Sequence, residues 1–577
     1  MPVVNASIGA IFEEIADLLD IQGANPFRIR AYRNAARTIG GLTTDIKTIV
    51  RDAEKLKALP GIGDDLAAKI QEIVATGRCE FLERLRKQVP PAVVELLRIP
   101  GLGPKRVRVL YQDLEVQTHE QLLRAALDRR VRELPGFGEK MEGRIVEAVR
   151  AHLAESRRFK LAVAAQYAES LVGHLQKARG VHEVVVAGSF RRMRETVGDL
   201  DVLVTARASA PVMERFIGYD EVKEVLSRGD TRATVMLHCG LQVDIRVVAA
   251  ESYGAALHYF TGSKAHSIAI RKLAQARGLK LNEYGVFRGA RRIAGESEES
   301  VYRAVGLPWI PPELREDRGE IDAARAGRLP KLVELSDLKG DLHAHSSASD
   351  GHDSIVDMAR AAKARGLSYL AITEHSRRLT VAHGLDAARL ARQIDEIDVL
   401  NGKLSGITVL KGIEVDILED GSLDLPEAIL SRLDVVVAAV HSKFNLSRAK
   451  QTERILKAID NPRVSILAHP TGRLIDDREP YDVDMSRVIR KAGAGGCHLE
   501  LNAHPDRLDL LDTYCQMAKA EGVLVSVNSD SHSVHGFDNL RFGIGQARRG
   551  WLEAGDVLNT RTVKEVRRLL NRSRRRA

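Results

Sequence analysis

From about residue 338 onward, seven short apolar runs recur between amphipathic stretches, and six of them carry a metal-binding residue type at or near their C-terminal end. KGDLHAHS supplies His343 and His345, YLAITEHS supplies Glu374 and His375, and TVLKGIEVDI supplies Glu414. VVVAAVHS supplies His441, VSILAHP supplies His469, and VLVSVNSDSH supplies Asp530 and His532. Asp350 follows in the loop after the first run, and HLELN is a seventh run with no evident ligand. Short apolar runs alternating with helical patterns predict strands buried on both faces in a parallel α/β fold. Polar residues at the ends of successive strands predict a (β/α) barrel with its site at the C-terminal mouth. His343 and His345 lie two apart on a strand, so both rings face one side. Eleven of the 18 histidines fall between His343 and His535, which makes this region the candidate metal centre. Imidazole and carboxylate ligands without cysteine suit Zn²⁺, Mn²⁺ or Fe²⁺. His352, His383, His498, His504 and His535 are read as structural or surface residues.

A second constellation lies upstream. In VAGSFRRMRETVGDLD (186–201), Asp199 and Asp201 stand two apart on a predicted strand, and Asp244 is centred in the strand-like QVDIRV (242–247). Three carboxylates on neighbouring strands suit two Mg²⁺ ions, each also taking phosphate and water oxygens. Such a pair of ions activates an attacking hydroxyl and neutralises a leaving pyrophosphate. Gly188 and Ser189 form a small turn with donors for a phosphate, and Arg192 and Arg246 add charged donors.

The N-terminal 150 residues read as helices, and they contain a repeat. LPGIGDDLAAKI (59–70), IPGLGPKRVRVL (99–110) and LPGFGEKMEGRI (134–145) share one template of apolar, Pro, Gly, apolar, Gly and then a helix. The glycine pairs Gly61/Gly63, Gly101/Gly103 and Gly136/Gly138 let the backbone turn tightly and approach a ligand. Each following helix aims its first N–H groups outward as an anion site. This is the helix–hairpin–helix signature, which grips DNA phosphates without reading sequence.

Composition is consistent with both sites. The net charge is +9, with +7 on residues 1–317, −4 on 318–563 and +6 on 564–577. Basic surface attracts polyanions, nucleic acid first. The tail RRLLNRSRRRA is read either as touching DNA or as disordered. The four cysteines are far apart with no C-x-x-C, which argues against a disulfide framework and fits a reducing cytoplasm. No apolar run is long enough to span a membrane, and the acidic, amphipathic N-terminus is read as a folded helix and not a signal peptide.

GSFRRMRETVGDLDVLV and YFTGSKAHSIAIRKLAQARGLKLNEYGVF (259–287) resemble the palm and thumb of X-family DNA polymerases, the family of polymerase beta, over residues 1 to about 317. The resemblance implies that Asp199, Asp201 and Asp244 hold the catalytic metals. It implies that Gly188, Ser189, Arg192 and Gly198 meet the incoming triphosphate, that Tyr259, Phe260 and Gly262 flank the sugar, and that Arg271 serves the template side. Ser267 stands where polymerase beta has a base-contacting Asn. Lys69 occupies the position of the family's Schiff-base lysine, with Asp65 one turn before it to stabilise the ammonium. DLHAHSSASDG, ITEHS, GIE, AAVHS, LAHP and SDSH resemble the PHP (polymerase and histidinol phosphatase) domain over about 338–575. That resemblance implies a distorted seven-stranded barrel and up to three Zn²⁺ or Mn²⁺ ions. Their ligands would be His343, His345, Asp350, His375, Glu414, His441, His469, Asp530 and His532, with Glu414 as a bridge.

The expected fold is multidomain. A helical unit covers 1–85 with the first hairpin, and a fingers-like helical unit covers 86–155 with the other two. An α+β nucleotidyltransferase palm covers 156–250 and a nucleotide-selecting thumb 251–317. A linker at 318–337 leads to a PHP (β/α)7 barrel at 338–577. The expected function is DNA-directed DNA synthesis in short gaps during base excision repair, joined to metal-dependent 3′–5′ exonuclease or abasic-site endonuclease activity. Two other readings compete: a barrel that is a metal-stabilised, non-catalytic scaffold, and a barrel that is a small-molecule phosphatase. The expected partners are gapped or nicked duplex DNA and dNTPs, with no membrane. The expected place is a bacterial cytoplasm, on the nucleoid through DNA.

Overall fold

The computed structural model describes residues 5–40, 46–50, 52–57, 59, 61–99, 101–156 and 158–573. They form two compact units, Met1–Arg157 and Arg158–Ala577.

The first unit is helical, and the segments read as 1–85 and 86–155 share one apolar core running from Ile8 to Val149. Its three hairpins have one backbone design. Gly61, Gly101 and Gly136 have φ of +77°, +90° and +81°, a region that side chains disfavour. Gly63 and Gly103 are then the extended N-caps of helices Asp64–Thr76 and Pro104–Leu114, and Gly138 precedes helix Glu139–Ser156. A Cβ at Gly63, Gly103, Gly136 or Gly138 would meet nothing within 4 Å. Each turn therefore presents open backbone at its second glycine, while at Gly101 a Cβ would meet Met141 Cε at 3.0 Å. Pro60 and Pro100 of the first two copies lie outside the described residues. The third turn is braced by the buried Glu142, which accepts from Arg132 N at 2.8 Å and Arg132 Nε at 2.7 Å.

The second unit begins with a mixed five-stranded sheet. Its strands are β1 (Val181–Val186), β2 (Asp199–Ala206), β3 (Val222–Arg228), β4 (Arg232–Leu237) and β5 (Gln242–Val248), in the order β1-β2-β5-β4-β3. Only the β2/β5 pair is parallel. Helices Leu161–Leu175 and Ala210–Ile217 supply the apolar residues that complete this core. β3 escaped sequence reading because VKEVLSR is charged and exposed along nearly its whole length, the usual state of a protected edge strand.

A smaller body follows, with helices around a three-stranded sheet of β6 (Lys280–Asn282), β7 (Gly285–Arg288) and β8 (Arg291–Ala294). Buried charges tie it to the first sheet. Glu298 accepts both terminal nitrogens of Arg191 at 2.9 Å, the Trp309 indole at 2.9 Å and the fully buried Arg315 at 2.5 Å. The segment 318–337, expected as a linker, is instead packed structure. It carries helix Glu320–Arg325, and the buried Glu320 accepts from Asp317 N and Arg318 N and pairs with His266 Nδ1 at 2.6 Å. Ile321, Ala324 and Leu332 join the core of the smaller body, and Val333 joins that of the barrel. The physical reason is that its charges are buried and paired, whereas the sequence presents only a charge- and proline-rich string.

The barrel has seven parallel strands in sequential order: β9 (Gly340–Ala344), β10 (Tyr369–Ile372), β11 (Thr408–Asp416), β12 (Val435–Ala439), β13 (Ile466–Leu467), β14 (His498–Asn502) and β15 (Val525–Asn528). Six of them are buried throughout, which is why their sequences lack alternation. The ring closes between its first and last strands through the Ala344–Ser531 bridge and a bond from Leu342 N to Asn528 Oδ1. One cluster joins the strands to the surrounding helices. A second, including Leu342, Tyr369, Leu410, Val437 and Ile466, is completed by Leu558, Val566 and Leu570. Helix Val563–Ser573 thus plugs the barrel, so the described part of the basic tail is folded. Residues 574–577 lie outside the described residues.

His258 is buried between Arg315, His266 and Arg191, and burial first, then those cations, push it down from 6.5 to about 3. The unfolded chain protonates this group below about 6.5 while the fold resists, so stability declines as pH falls from 6.5 toward 3. The contribution is about 2 kcal/mol between pH 6.5 and 5. Thermal melts of His258→Leu across that range should show a shallower loss than the parent.

Candidate active sites

β2 and β5 pair in register with Asp201 opposite Asp244. The pleat puts Asp199 on the same face as Asp201. Burial, followed by the charges of Asp199 and Asp244, pushes Asp201 up to about 7 against the opposing pull of Arg246 and Arg192. Asp244 is held by Thr234 Oγ1 at 2.6 Å and Gln242 Nε2 at 2.8 Å. The sheet therefore gathers the three acids with more negative charge than the neighbouring arginines balance. This oxygen-rich donor set fits hard divalent cations.

The turn above these acids is equally constrained. Gly188 has φ +63°, and a Cβ there would come within 2.6 Å of Asp201 Oδ2. Ser189 O accepts Arg194 N at 3.0 Å, shaping the loop toward Gly198. Arg192 donates to Thr261 O at 2.8 Å and to Glu316 at 3.1 Å. Tyr259 and Phe260 form an edge-to-face pair at 5.0 Å, with Arg246 over Phe260 and Arg271 over Tyr259. Gly262 ends the helix Tyr253–Thr261, and Ser267 Oγ fills the space a side chain there would need. Lys69, in the other unit, ion-pairs with Asp65.

At the barrel mouth all nine expected residues converge. Glu414 Oε2 lies 2.7 Å from His375 Nδ1, 3.5 Å from His343 Nε2 and 3.7 Å from His345 Nε2. Its Oε1 lies 2.9 Å from His469 Nε2 and 3.1 Å from His441 Nε2. Asp530 Oδ1 is 3.2 Å from His345 Nε2, and Asp350 Oδ2 is 3.3 Å from His375 and 3.5 Å from His532. Three overlapping donor sets result: His345, Asp350, His375 and His532; His343, His345 and Asp530; and His375, Glu414 and His441; His469 stands outside them and meets the cluster through Glu414 Oε1. His343 Nε2, both nitrogens of His345, His375 Nδ1, His441 Nε2 and Glu414 Oε2 are buried without a hydrogen bond, although partners lie close. Buried polar atoms in proteins are usually hydrogen-bonded, and six unbonded ones gather here around one carboxylate. Donors that crowd together without bonding each other fit shared cations.

The electrostatics agree. Burial alone would raise Glu414, but His441, His375 and His343 outweigh it and hold the carboxyl well below its usual range. Burial opposes charge on His375, yet Glu414 and Asp350 raise it to about 10. Burial, with His375 and His532, pushes His345 down to about 3. Imidazoles and carboxylates this tightly coupled form a donor set whose charges are interdependent. His469 and Asp530 have φ of +25° and +52°, so two residues of the cluster sit on a strained backbone.

Sequence reasoning missed the residues behind this cluster. Glu500, in HLELN, accepts His343 Nδ1 at 2.7 Å and His469 N at 2.9 Å. Asp416 meets His441 Nδ1 at 2.7 Å. The signal was present, since an acid inside an apolar strand must have a partner. Glu374 instead turns to Ser346, Ser349 and Gln393 and stands outside the three donor sets. His352, His383, His498, His504 and His535 are also outside those sets. Acids that orient ligand imidazoles typically contribute about 10–100-fold in metal affinity. Glu500→Gln should therefore lose barrel metal on dialysis at pH 7.5 that the parent keeps, as read by elemental analysis.

Comparison with known proteins gives the family. Residues 256–316 match the family model for the DNA polymerase beta thumb, and residues 341–504 that for the PHP domain. Residues 4–79 match a helix-hairpin-helix domain and 93–151 a SAM-like helix-hairpin-helix tandem. The chain is 39% identical over 567 residues to the DNA polymerase/3′-5′ exonuclease PolX of Bacillus subtilis (strain 168), covering 98% of each. A probable phosphatase of Thermoanaerobacter sp. (strain X514) is 29% identical over 246 residues, 41% of this chain and 95% of that protein. A probable phosphatase of Caldanaerobacter subterraneus subsp. tengcongensis is 32% identical over 214 residues, 35% of this chain and 78% of that protein. Identity sustained over both full lengths, with hairpins, thumb and barrel each matched in its own segment, makes this chain a member of the PolX family, the X-family DNA polymerases that carry a C-terminal PHP domain.

Proposed function

We propose that the chain fills short gaps in DNA by nucleotidyl transfer at the β2/β5 acids and removes 3′-terminal nucleotides by hydrolysis at the barrel mouth. The observation that carries this reading is the presence, in one chain, of two separate acidic or imidazole-rich clusters short of positive charge. Asp199, Asp201 and Asp244 would hold Mg²⁺, and the nine barrel residues would hold up to three Zn²⁺ or Mn²⁺. When bound, such ions lower the pKa of an attacking hydroxyl or water and neutralise charge on phosphate and departing oxygens.

The chain's own residues do the rest. In synthesis the primer 3′-hydroxyl attacks the α-phosphate of a dNTP and pyrophosphate leaves. Gly188, Ser189 and Gly198 bring backbone and hydroxyl donors to the triphosphate, and Arg192 brings a charged fork. Tyr259, Phe260 and Gly262 wall the sugar, and Arg271, stacked on Tyr259, faces the template. Ser267 offers a short hydroxyl where polymerase beta has an amide, so base choice rests on template pairing. At the barrel, Glu500 and Asp416 hold protons on His343 Nδ1 and His441 Nδ1, which turns both Nε2 atoms inward.

Three open glycine turns favour a long phosphate track over a small phosphate ester. The second is followed by Lys105, Arg106 and Arg108, and the first by Asp64 and Asp65, so the second should grip more strongly. Abasic-site endonuclease activity at the same barrel is a second reading, favoured by the same phosphodiester chemistry. Lys69 is engaged by Asp65 and is not presented as a free nucleophile.

The test is one gapped, 3′-labelled duplex given to three proteins with Mg²⁺ and Mn²⁺. The parent should both extend and shorten the label. Asp201→Asn should lose extension by more than about 100-fold and keep shortening. His343→Ala should do the reverse, and shortening that survives in His343→Ala would remove the barrel from the reaction. Borohydride treatment with an abasic-site duplex should trap no adduct at Lys69.

A further inference from the structure

The loop bearing Ser189, Arg192 and Gly198 is backed by the barrel. Met193, with φ +55°, lies against Gly545, where a Cβ would come within 2.3 Å of Met193 Cε. Ile475, Leu508 and Phe542, all from the barrel portion, enter the core of the β1–β5 sheet. Arg473, four residues past His469, donates to Glu195 of the loop at 2.7 Å.

The centre of this contact is Arg549, at the end of helix Leu540–Arg549 and only 2% exposed at its side chain. Its Nη1 donates to the main-chain oxygen of Arg192 at 2.9 Å and to Glu316 Oε1 at 2.9 Å. Its Nη2 donates to Asp512 at 2.8 Å. Glu316 Oε1 also accepts from Arg192 Nε at 3.1 Å. One carboxylate oxygen is therefore divided between two guanidinium groups, one from each side of the contact.

We propose that Arg549 of the PHP barrel is a positioning residue for nucleotidyl transfer, acting through Glu316 and the Arg192 main chain to keep the Arg192 guanidinium available to the incoming triphosphate. This rests on the assignment of Arg192 to the triphosphate made above. The physical argument has two parts. Arg192 is long, and Glu316 together with Thr261 O fixes its fork before nucleotide arrives, so less freedom is lost on binding. Glu316 is also a competitor, because a carboxylate bound to Arg192 alone would neutralise the charge the phosphates need. Arg549 draws part of that charge away and anchors the carboxylate in place. Without it, Glu316 turns fully onto Arg192, and the loop loses the donor that fixes its main chain.

The experiment measures dNTP KM and kcat on a gapped duplex, with exonuclease rate on single-stranded DNA and a thermal melt as fold controls, for full-length Arg549→Met, Arg192→Met and the double variant. Arg549→Met should raise dNTP KM about tenfold, change kcat by less than about threefold and leave the exonuclease rate unchanged. The double variant should be no worse than Arg192→Met alone, because Arg549 acts through Arg192. A parental KM in Arg549→Met, while Arg192→Met raises it, overturns the proposal and leaves the nucleotide assignment standing. A parental KM in Arg192→Met overturns that assignment itself. Should Arg549→Met not fold, Arg549→Lys keeps the buried charge while losing the fork; a smaller KM increase supports the proposal and a parental KM overturns it.

Discussion

A parallel strand wrapped by helices has no face on which a charge can rest in water. In the barrel, Glu414 and the histidines around it are taken out of water, and the only arrangement that repays their desolvation is mutual, at the mouth. That constraint explains why strands of nearly pure Val, Ile, Leu and Ala end abruptly in imidazole and carboxylate. It also explains why Glu500 and Asp416 lie just beneath, since His343 and His441 each have a second ring nitrogen to satisfy. The five-stranded sheet solves a milder form of the problem. One end of β2 stays open, so Asp199 is exposed while Asp201 is partly buried and pushed up to about 7.

Buried charge is handled in two ways in this chain. Some networks are closed. Glu298 is bonded by Arg191, Arg315 and Trp309, and Glu320 by His266 and two main-chain N–H groups. Such carboxylates fasten bodies together, and among their partners only Arg315 Nη2 is left buried and unbonded. Other networks are open, with buried nitrogen and oxygen atoms left unbonded, as around Glu414. The contrast separates architecture from chemistry more sharply than burial does, because Glu298 and Glu414 are similarly inaccessible. Arg192 stands between the two classes: it has a counter-ion, yet it shares that counter-ion with Arg549.

Much of this was legible in the sequence where function is repeated locally. The three glycine turns, the Asp199/Asp201 pair and the imidazoles and carboxylates at strand ends each follow a short-range rule, and the resemblance of their motifs to known families suggested the roles. What was illegible depends on distant partners. Residues 318–337 look like a tether because Glu320 and Arg318 are charged, and nothing nearby reveals that His266 and Asp512 receive them. The tail looks like loose basic sequence because Val566 and Leu570 are sparse among arginines, yet they fill the barrel. Glu500 went unassigned because its partner, His343, is 157 residues away. β3 was missed because an edge strand is selected to look unlike a strand.

The plug formed by Leu558, Val566 and Leu570 has a bearing on how the protein comes into being. On the ribosome, all seven barrel strands emerge before these residues do, and until then the inner cluster of Leu342, Tyr369 and Ile466 lacks its floor. Domains generally fold as units during synthesis, and an incomplete core leaves apolar surface exposed. The strands of the five-stranded sheet are made some three hundred residues earlier, yet its core too waits for Ile475, Leu508 and Phe542 from the barrel portion. Newborn molecules thus hold every barrel strand before they hold the floor that closes the barrel's inner core.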